Sequence, residues 1–95
     1  MFADDQSFRS PIDGTLDLHT FRPDETGEVV HEYIGECLRQ GICQLRIIHG
    51  KGSGVQRRIV HSLLDGHPNV LSYRSEGGSA GGWGATIVDI RQGSQ

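Results

Sequence analysis

The hydrophobic pattern of this chain predicts an α/β domain, a two-layer β-α-β-α-β-β sandwich in which a four-stranded mixed sheet carries two helices on one face. Three observations lead there. Single-residue alternation at Leu16-Asp17-Leu18-His19 marks a half-buried strand. Val29, Val30, Tyr33, Ile34, Cys37 and Leu38 fall on the spacing of one helical face. Glycine and proline then punctuate the rest into short segments of strand or helix character. With 95 residues there is room for a single core, and a domain of this size buries about 60–65 % of its unfolded surface. Residues 15–90 are expected to form that domain, with residues 1–14 as a flexible arm and 91–95 as a fraying tail.

The elements follow in order. MFADDQSFRSPIDG has no periodicity, as suits a terminal arm. TLDLHT is the first strand, with Leu16 and Leu18 inward and Asp17 and His19 on the opposite side. Pro23, followed by Asp24 and Glu25, opens a helix: proline suits the first turn, and acids suit its positive end. Gly41 closes it as a left-handed C′ residue. ICQLRIIH is the second strand, with Cys43, Leu45 and Ile47 sharing a face, and HGKGSG is a glycine-rich turn. A second helix runs from about Val55 to Asp65, burying Ile59, Val60, Leu63 and Leu64, until Gly66 and Pro68 end it. VLSYRS and ATIVDI are the last two strands, joined by the loop EGGSAGGWG. Strands separated by helices are normally parallel and loop-joined ones antiparallel, which fits an order with the fourth strand between the second and third.

Composition excludes several classes. A mean hydropathy of −0.39 and the lack of any long apolar run exclude a membrane-spanning helix. No apolar signal-peptide core is present, so a cytoplasmic location is expected. Two cysteines are too few for a disulfide framework or a structural zinc site, and Cys37 and Cys43 are both expected as buried, reduced thiols. The net charge of −3 argues against bulk attraction to nucleic acid. Its distribution is uneven, however. Residues 1–36 hold nine acids and two arginines, whereas residues 37–95 hold seven bases and three acids. A basic face on an acidic protein is therefore allowed.

Two segments carry chemistry. In parallel α/β units ligands bind beyond the carboxyl ends of the strands. There Asp17 and His19 approach the end of the first strand, and His49 to Gly54 form the turn after the second. Gly50, Gly52 and Gly54 would let backbone N–H groups approach an anion, with Ser53 among them and a helix N-terminus behind. Lys51, the only lysine, adds a point charge, and Arg57 and Arg58 extend the patch. The arrangement suits a phosphodiester. The phosphate-binding P-loop pattern fits poorly, because Gly52 stands where Ser or Thr should follow the lysine. Plainer readings stand beside these. Asp17 could simply pair with Arg46, His19 and His49 could be structural, and Trp83 could plug the sheet edge rather than stack on an unpaired base. His31, His61 and His67 are expected as solvated surface residues.

Three blocks together resemble the Smr (small MutS-related) domain: Leu16-Asp17-Leu18-His19, His49-Gly50-Lys51-Gly52, and Gly81-Gly82-Trp83-Gly84-Ala85-Thr86. The resemblance covers roughly residues 15–90. It implies a fold similar to the C-terminal domain of translation initiation factor three, and endonuclease activity on RNA or DNA in a stand-alone chain. It maps the family's Asp-x-His motif onto Asp17 and His19, and its His-Gly-Lys-Gly motif onto residues 49–52. One departure is Thr20, where the family usually has glycine. The leading expectation is thus phosphodiester cleavage with Asp17, His19 and His49 as catalytic residues. His19 and His49 would exchange protons, Asp17 would orient one of them, and Gly50, Lys51, Gly52, Ser53, Gly54, Arg57, Arg58 and Trp83 would hold the nucleic acid. No cofactor is firmly implied. DNA hydrolysis would call for a divalent ion, Mg²⁺ or Mn²⁺, with Asp89 or Glu76 joining Asp17. RNA or DNA is the expected partner, with a ribosome or a repair complex behind it. The alternative is a non-catalytic binding module for nucleic acid or the ribosome.

Overall fold

The computed structural model of the chain describes residues 12–50, 54–76 and 84–91. Lys51, Gly52, Ser53, Trp83, most of the arm and most of the tail lie outside the described residues. The elements are β1 (Thr15–Asp17), α1 (Pro23–Arg39), β2 (Gln44–Ile48), α2 (Val55–Gly66), β3 (Val70–Ser75) and β4 (Ala85–Ile90). The sheet order is β1-β2-β4-β3, with β1 and β2 parallel and β4 antiparallel to both its neighbours. The fourth strand therefore lies between the second and third, the order that the connection rules allowed.

Register sorts the side chains. Leu16 pairs with Ile47, and Leu45 with Val88, so these apolar residues share the face that packs on the helices. From α1 come Val30, Tyr33, Ile34 and Cys37, and from α2 come Val60 and Leu64. Each large aliphatic side chain in this cluster contributes about 1.5–3 kcal/mol by leaving water. Ile59 and Leu63 are only partly buried. The opposite face carries Asp17, Gln44, Arg46, Arg74 and Asp89, a polar surface laced by Arg46–Glu76 at 2.6 Å and Arg74–Asp89 at 3.3 Å.

Local chemistry sets the boundaries. Pro23 opens α1, and the Glu25 carboxylate accepts the Arg22 backbone N–H at 2.9 Å. Past the C-cap Gln40, Gly41 turns the chain with φ +78°, a conformation that favours glycine. β1 is shorter than the alternation predicts. After Asp17 the chain bends, closing a turn with Phe21 N–H on the Leu18 carbonyl at 3.0 Å, yet Leu18 remains fully buried. Cys43 is exposed, contrary to expectation, because β2 begins only at Gln44 and its alternation does not reach back. Cys37 is buried, and burial pushes its thiol up to about 11.

Two polar ties hold the layers in register. Gln56, in the first turn of α2, donates its amide to the Phe21 carbonyl at 2.9 Å and to Thr26 Oγ1 at 3.1 Å. Tyr33, buried on α1, accepts the Gly14 N–H at 3.1 Å and donates to the Thr15 carbonyl at 3.0 Å. Arg46 N–H bonds the Gly14 carbonyl at 2.7 Å, so the chain is tied to the sheet just ahead of β1. Replacing Tyr33 by Phe leaves a buried N–H and a carbonyl without that hydroxyl. The expected loss is about 1–3 kcal/mol, read as a lower urea midpoint at unchanged slope. An unchanged midpoint would show that the tie carries no stability.

Candidate functional site

The carboxyl ends of β1 and β2, the start of β4 and the start of α2 meet at one edge of the sheet. Asp17 is the last residue of β1 and points away from the helices. Its Oδ1 accepts two bonds from His19, one from the backbone N–H at 3.0 Å and one from ring Nδ1 at 2.9 Å. Those two bonds, with lesser help from the Arg46 charge, hold the Asp17 carboxyl below its ordinary range. Arg46 itself bonds Glu76, so the plainer alternative of a direct Asp17–Arg46 pair is not made. With Nδ1 committed to Asp17, the neutral ring offers Nε2 as an acceptor. His19 and Thr20 lie exposed within the Leu18–Phe21 turn.

His49 occupies the other side of the edge. It follows Leu45 and Ile47 at two-residue steps, so its ring points toward the helices, and it is 8 % exposed. Its Nδ1 bonds the Gly50 carbonyl at 3.1 Å and its Nε2 bonds Thr86 Oγ1 at 2.8 Å. The two catalytic imidazoles expected to converge are therefore on opposite faces of the sheet edge. Gly50 also departs from expectation. Its N–H and that of His49 both donate to the Gly84 carbonyl at 2.8 Å, so the Gly50 N–H is spent inside the protein. Gly50, with φ +82°, serves the bend instead.

Behind this turn, Gly54 caps α2 with φ +87° and no side-chain hydrogen bond, and the first turn of the helix has no acidic residue. Arg57 and Arg58 stand near that positive end, both exposed and without an ion-pair partner among the described residues. Cations here oppose the helix dipole, which an anion would offset. They line an open groove of about 440 Å³ together with Gly54, His61, Ser62 and Asp65.

His61 is expected in solvent but is partly buried. Its Nε2 bonds Thr86 Oγ1 at 2.9 Å, and its ring lies 4.8 Å from that of Tyr73 and 6.1 Å from that of His49. His67 is also partly buried, 5.3 Å from the His31 ring. Neither Thr86 nor His61 is marked as a site residue by its own segment of sequence. The one signal for Thr86 was its place in the third block. Asp89 and Glu76 do not join Asp17: Asp89 bonds Gln44, Ser72 and Arg74, and Glu76 bonds Arg46. Among the described residues no three His, Cys, Asp or Glu side chains are grouped to hold a metal ion. No described helix is long and apolar enough to cross a membrane.

Burial is the main cause that lowers the basicity of His49, His61 and His67, with Arg57 adding to it for the first two and His31 for the third. Unfolded imidazoles titrate near 6.5. Below that value the unfolded chain binds more protons than the folded one, so stability is full above about pH 6.5 and falls with acidification. Urea midpoints at successive pH values from 7.5 down to 5 should decline. A flat profile would mean that these rings are solvated.

The Smr domain family model matches residues 16–91. The chain is 36 % identical over 83 residues to Endonuclease MutS2 of Halothermothrix orenii, covering 87 % of this chain and 10 % of that protein. It is 42 % identical over 76 residues to Endonuclease MutS2 of Halalkalibacterium halodurans, covering 80 % of this chain and 10 % of that protein. The chain thus spans about a tenth of the length of these relatives. The crystal structure of the Smr domain of Thermus thermophilus MutS2 superposes with a TM-score of 0.76 at 29 % identity, covering 83 % of this chain and 99 % of that one. YdaL, a stand-alone small MutS-related protein from Escherichia coli, gives a TM-score of 0.75 at 29 % identity, covering 85 % of this chain and 66 % of that one. In sequence and in fold, this chain belongs to the Smr domain family.

Proposed function

We propose that the chain is a nucleic-acid endonuclease of the Smr type, in which Asp17 and His19 supply acid–base chemistry while Arg57, Arg58 and the glycine turn hold the strand. The 2.9 Å contact between Asp17 and His19 Nδ1 carries this reading. A carboxylate on one ring nitrogen fixes the tautomer and stabilises the imidazolium that forms when the other nitrogen takes a proton. Here that other nitrogen belongs to an exposed ring in a turn at the functional edge.

RNA is the favoured substrate. His19 Nε2 takes the proton of a 2′-hydroxyl, the 2′-oxygen attacks the neighbouring phosphorus, and the 5′-oxygen leaves with a proton from water while His19 returns its own to solvent. The products are a 2′,3′-cyclic phosphate and a 5′-hydroxyl. Activating water on DNA would call for a better metal site than one carboxylate, so no step is routed through an ion. Lys51 and the turn stabilise charge growing on the phosphate oxygens. His49, enclosed and bonded through both ring nitrogens, supports the turn from beneath rather than serving the scissile bond.

Single-turnover cleavage of end-labelled single-stranded RNA at low salt with EDTA tests the dyad. Asp17→Asn should slow cleavage by about 10²–10⁴-fold without weakening binding, and the product should carry a cyclic phosphate. Equal cleavage by wild type and variant would remove Asp17 from the chemistry. Binding without any cleavage by either would leave a nucleic-acid-binding module.

The grip is tested separately. Arg58→Ala should weaken binding to RNAs of different sequence alike and reduce the slope of log affinity against log salt by about one. An unchanged slope would place the phosphate path away from α2.

A further inference from the structure

Along α2, Arg57, His61 and Asp65 follow one another a turn apart, with Arg58 and Ser62 in the adjacent row, and together with Gly54 they line the open groove of about 440 Å³. Two exposed guanidinium groups there stand against one carboxylate. That carboxylate is already engaged, since the Tyr73 hydroxyl of β3 donates to Asp65 at 2.6 Å. The groove thus holds an excess of positive charge, and His61 stands in the middle of it.

Hydrogen bonds beneath His61 fix which of its nitrogens is available. The Gly50 carbonyl can only accept, so His49 Nδ1, 3.1 Å away, carries a proton. His49 Nε2 is then an acceptor for the Thr86 hydroxyl at 2.8 Å, and Thr86 Oγ1 accepts in turn from His61 Nε2 at 2.9 Å. His61 is therefore the Nε2–H tautomer, and its Nδ1 is a lone pair with no bond to it among the described residues. A proton added at that Nδ1 leaves each of these bonds in place. A proton added to His49 would have to enter at Nε2 and displace the Thr86 hydroxyl hydrogen. Of the two rings, His61 is the one that can carry charge without loss of a bond.

We propose that the groove is a phosphate-binding site in which His61 is a third ligand beside Arg57 and Arg58, one that takes a proton from solvent onto Nδ1 when a phosphodiester of the nucleic-acid strand docks there. This rests on reading α2 as part of the strand's path.

The groups that face His61 decide when it charges. Burial opposes charge most, followed by Arg57 on α2 and by His49 at the end of β2, whose ring lies 6.1 Å away. Asp65 on α2 favours it. Tyr73 of β3, with its ring 4.8 Å away, and Thr86 of β4 carry no charge. In the free protein this balance holds His61 below the ordinary imidazole range, so the ring is neutral at pH 7. A phosphate against the arginines offsets the Arg57 charge and adds an attraction of its own. The bound ring then titrates at a higher pH. Binding draws in a proton, and affinity falls as pH rises through the bound titration.

Ring ¹⁵N NMR of the wild-type protein, alone and saturated with a 2′-O-methyl RNA 12-mer, tests the site directly. In the free protein His61 should be the Nε2–H tautomer. With the 12-mer bound its titration midpoint should rise by about one pH unit or more, while His49 stays neutral. Affinity for the same 12-mer, measured by fluorescence anisotropy at constant ionic strength from pH 8 to 5.5, gives a second readout. Wild type should gain up to about tenfold per pH unit from His61 alone. His61→Gln keeps a donor to Thr86 but takes no proton, and should lack that gain. A His61 midpoint that does not move with the 12-mer bound, a proton on His49 instead, or the same pH slope in His61→Gln would overturn this inference alone. Failure of the 12-mer to bind at every pH would overturn the strand-binding reading, and this inference with it.

Discussion

Thr86 sits on the core face of β4, paired with Ile47, in a layer whose neighbours are aliphatic. An unbonded hydroxyl in such a place would cost about 1–3 kcal/mol, and the fold meets that demand with two imidazoles, His49 from the end of β2 and His61 from α2. The arrangement of the functional edge follows from this. Once His49 is drawn under the sheet, its backbone and that of Gly50 reach the Gly84 carbonyl, and the turn between β2 and α2 has a fixed root. It also gives a physical reason for the second and third motif blocks to occur together: one supplies the histidine and glycine of the turn, the other the carbonyl and hydroxyl that anchor them.

The edge that results divides labour between its two sides. Asp17 and His19 stand on the open face, in contact with water and with each other. Arg57, Arg58 and the groove stand on the helix side. In the proposed reading a polymer with repeating phosphates can engage both, its scissile unit at the dyad and a neighbouring unit against α2. The acid-rich surface of α1 offers the same polymer nothing, so an overall acidic chain can still present a local cationic path.

Much of this was legible in the order of residues. Pro23 and Gly41 bound α1, and VLSYRS and ATIVDI are strands as read, because turn residues and β-branched runs act locally. Parity also placed His49, had it been carried two residues past Ile47: Leu45, Ile47 and His49 share one side, which is the buried side. The motif around His49 points to the open crevice, but its register places the ring on the buried side. His61 is a different case. Its neighbours Val60 and Leu64 mark the core face of α2, but its partner lies on β4, and only the pairing of β4 with β2 brings Thr86 beneath it. A contact set by sheet register between distant segments has no signature within either segment. Cys43 is the opposite case: the alternation of Leu45 and Ile47 would bury it, but β2 starts only at Gln44.

The brevity of β1 has a consequence of its own. It is an edge strand of three residues, paired on one side only, and it delivers Asp17 at its last position. Its anchors are Leu16 and Leu18 in the core, the Tyr33 hydroxyl and a few parallel ladder bonds. The arginines, by contrast, ride on a helix packed against both α1 and β3. Partial openings of a native protein begin where few contacts must be broken. Opening at β1 alone separates Asp17 from His19 and leaves α2 packed. In the proposed reading, cleavage is therefore lost under milder stress than binding is.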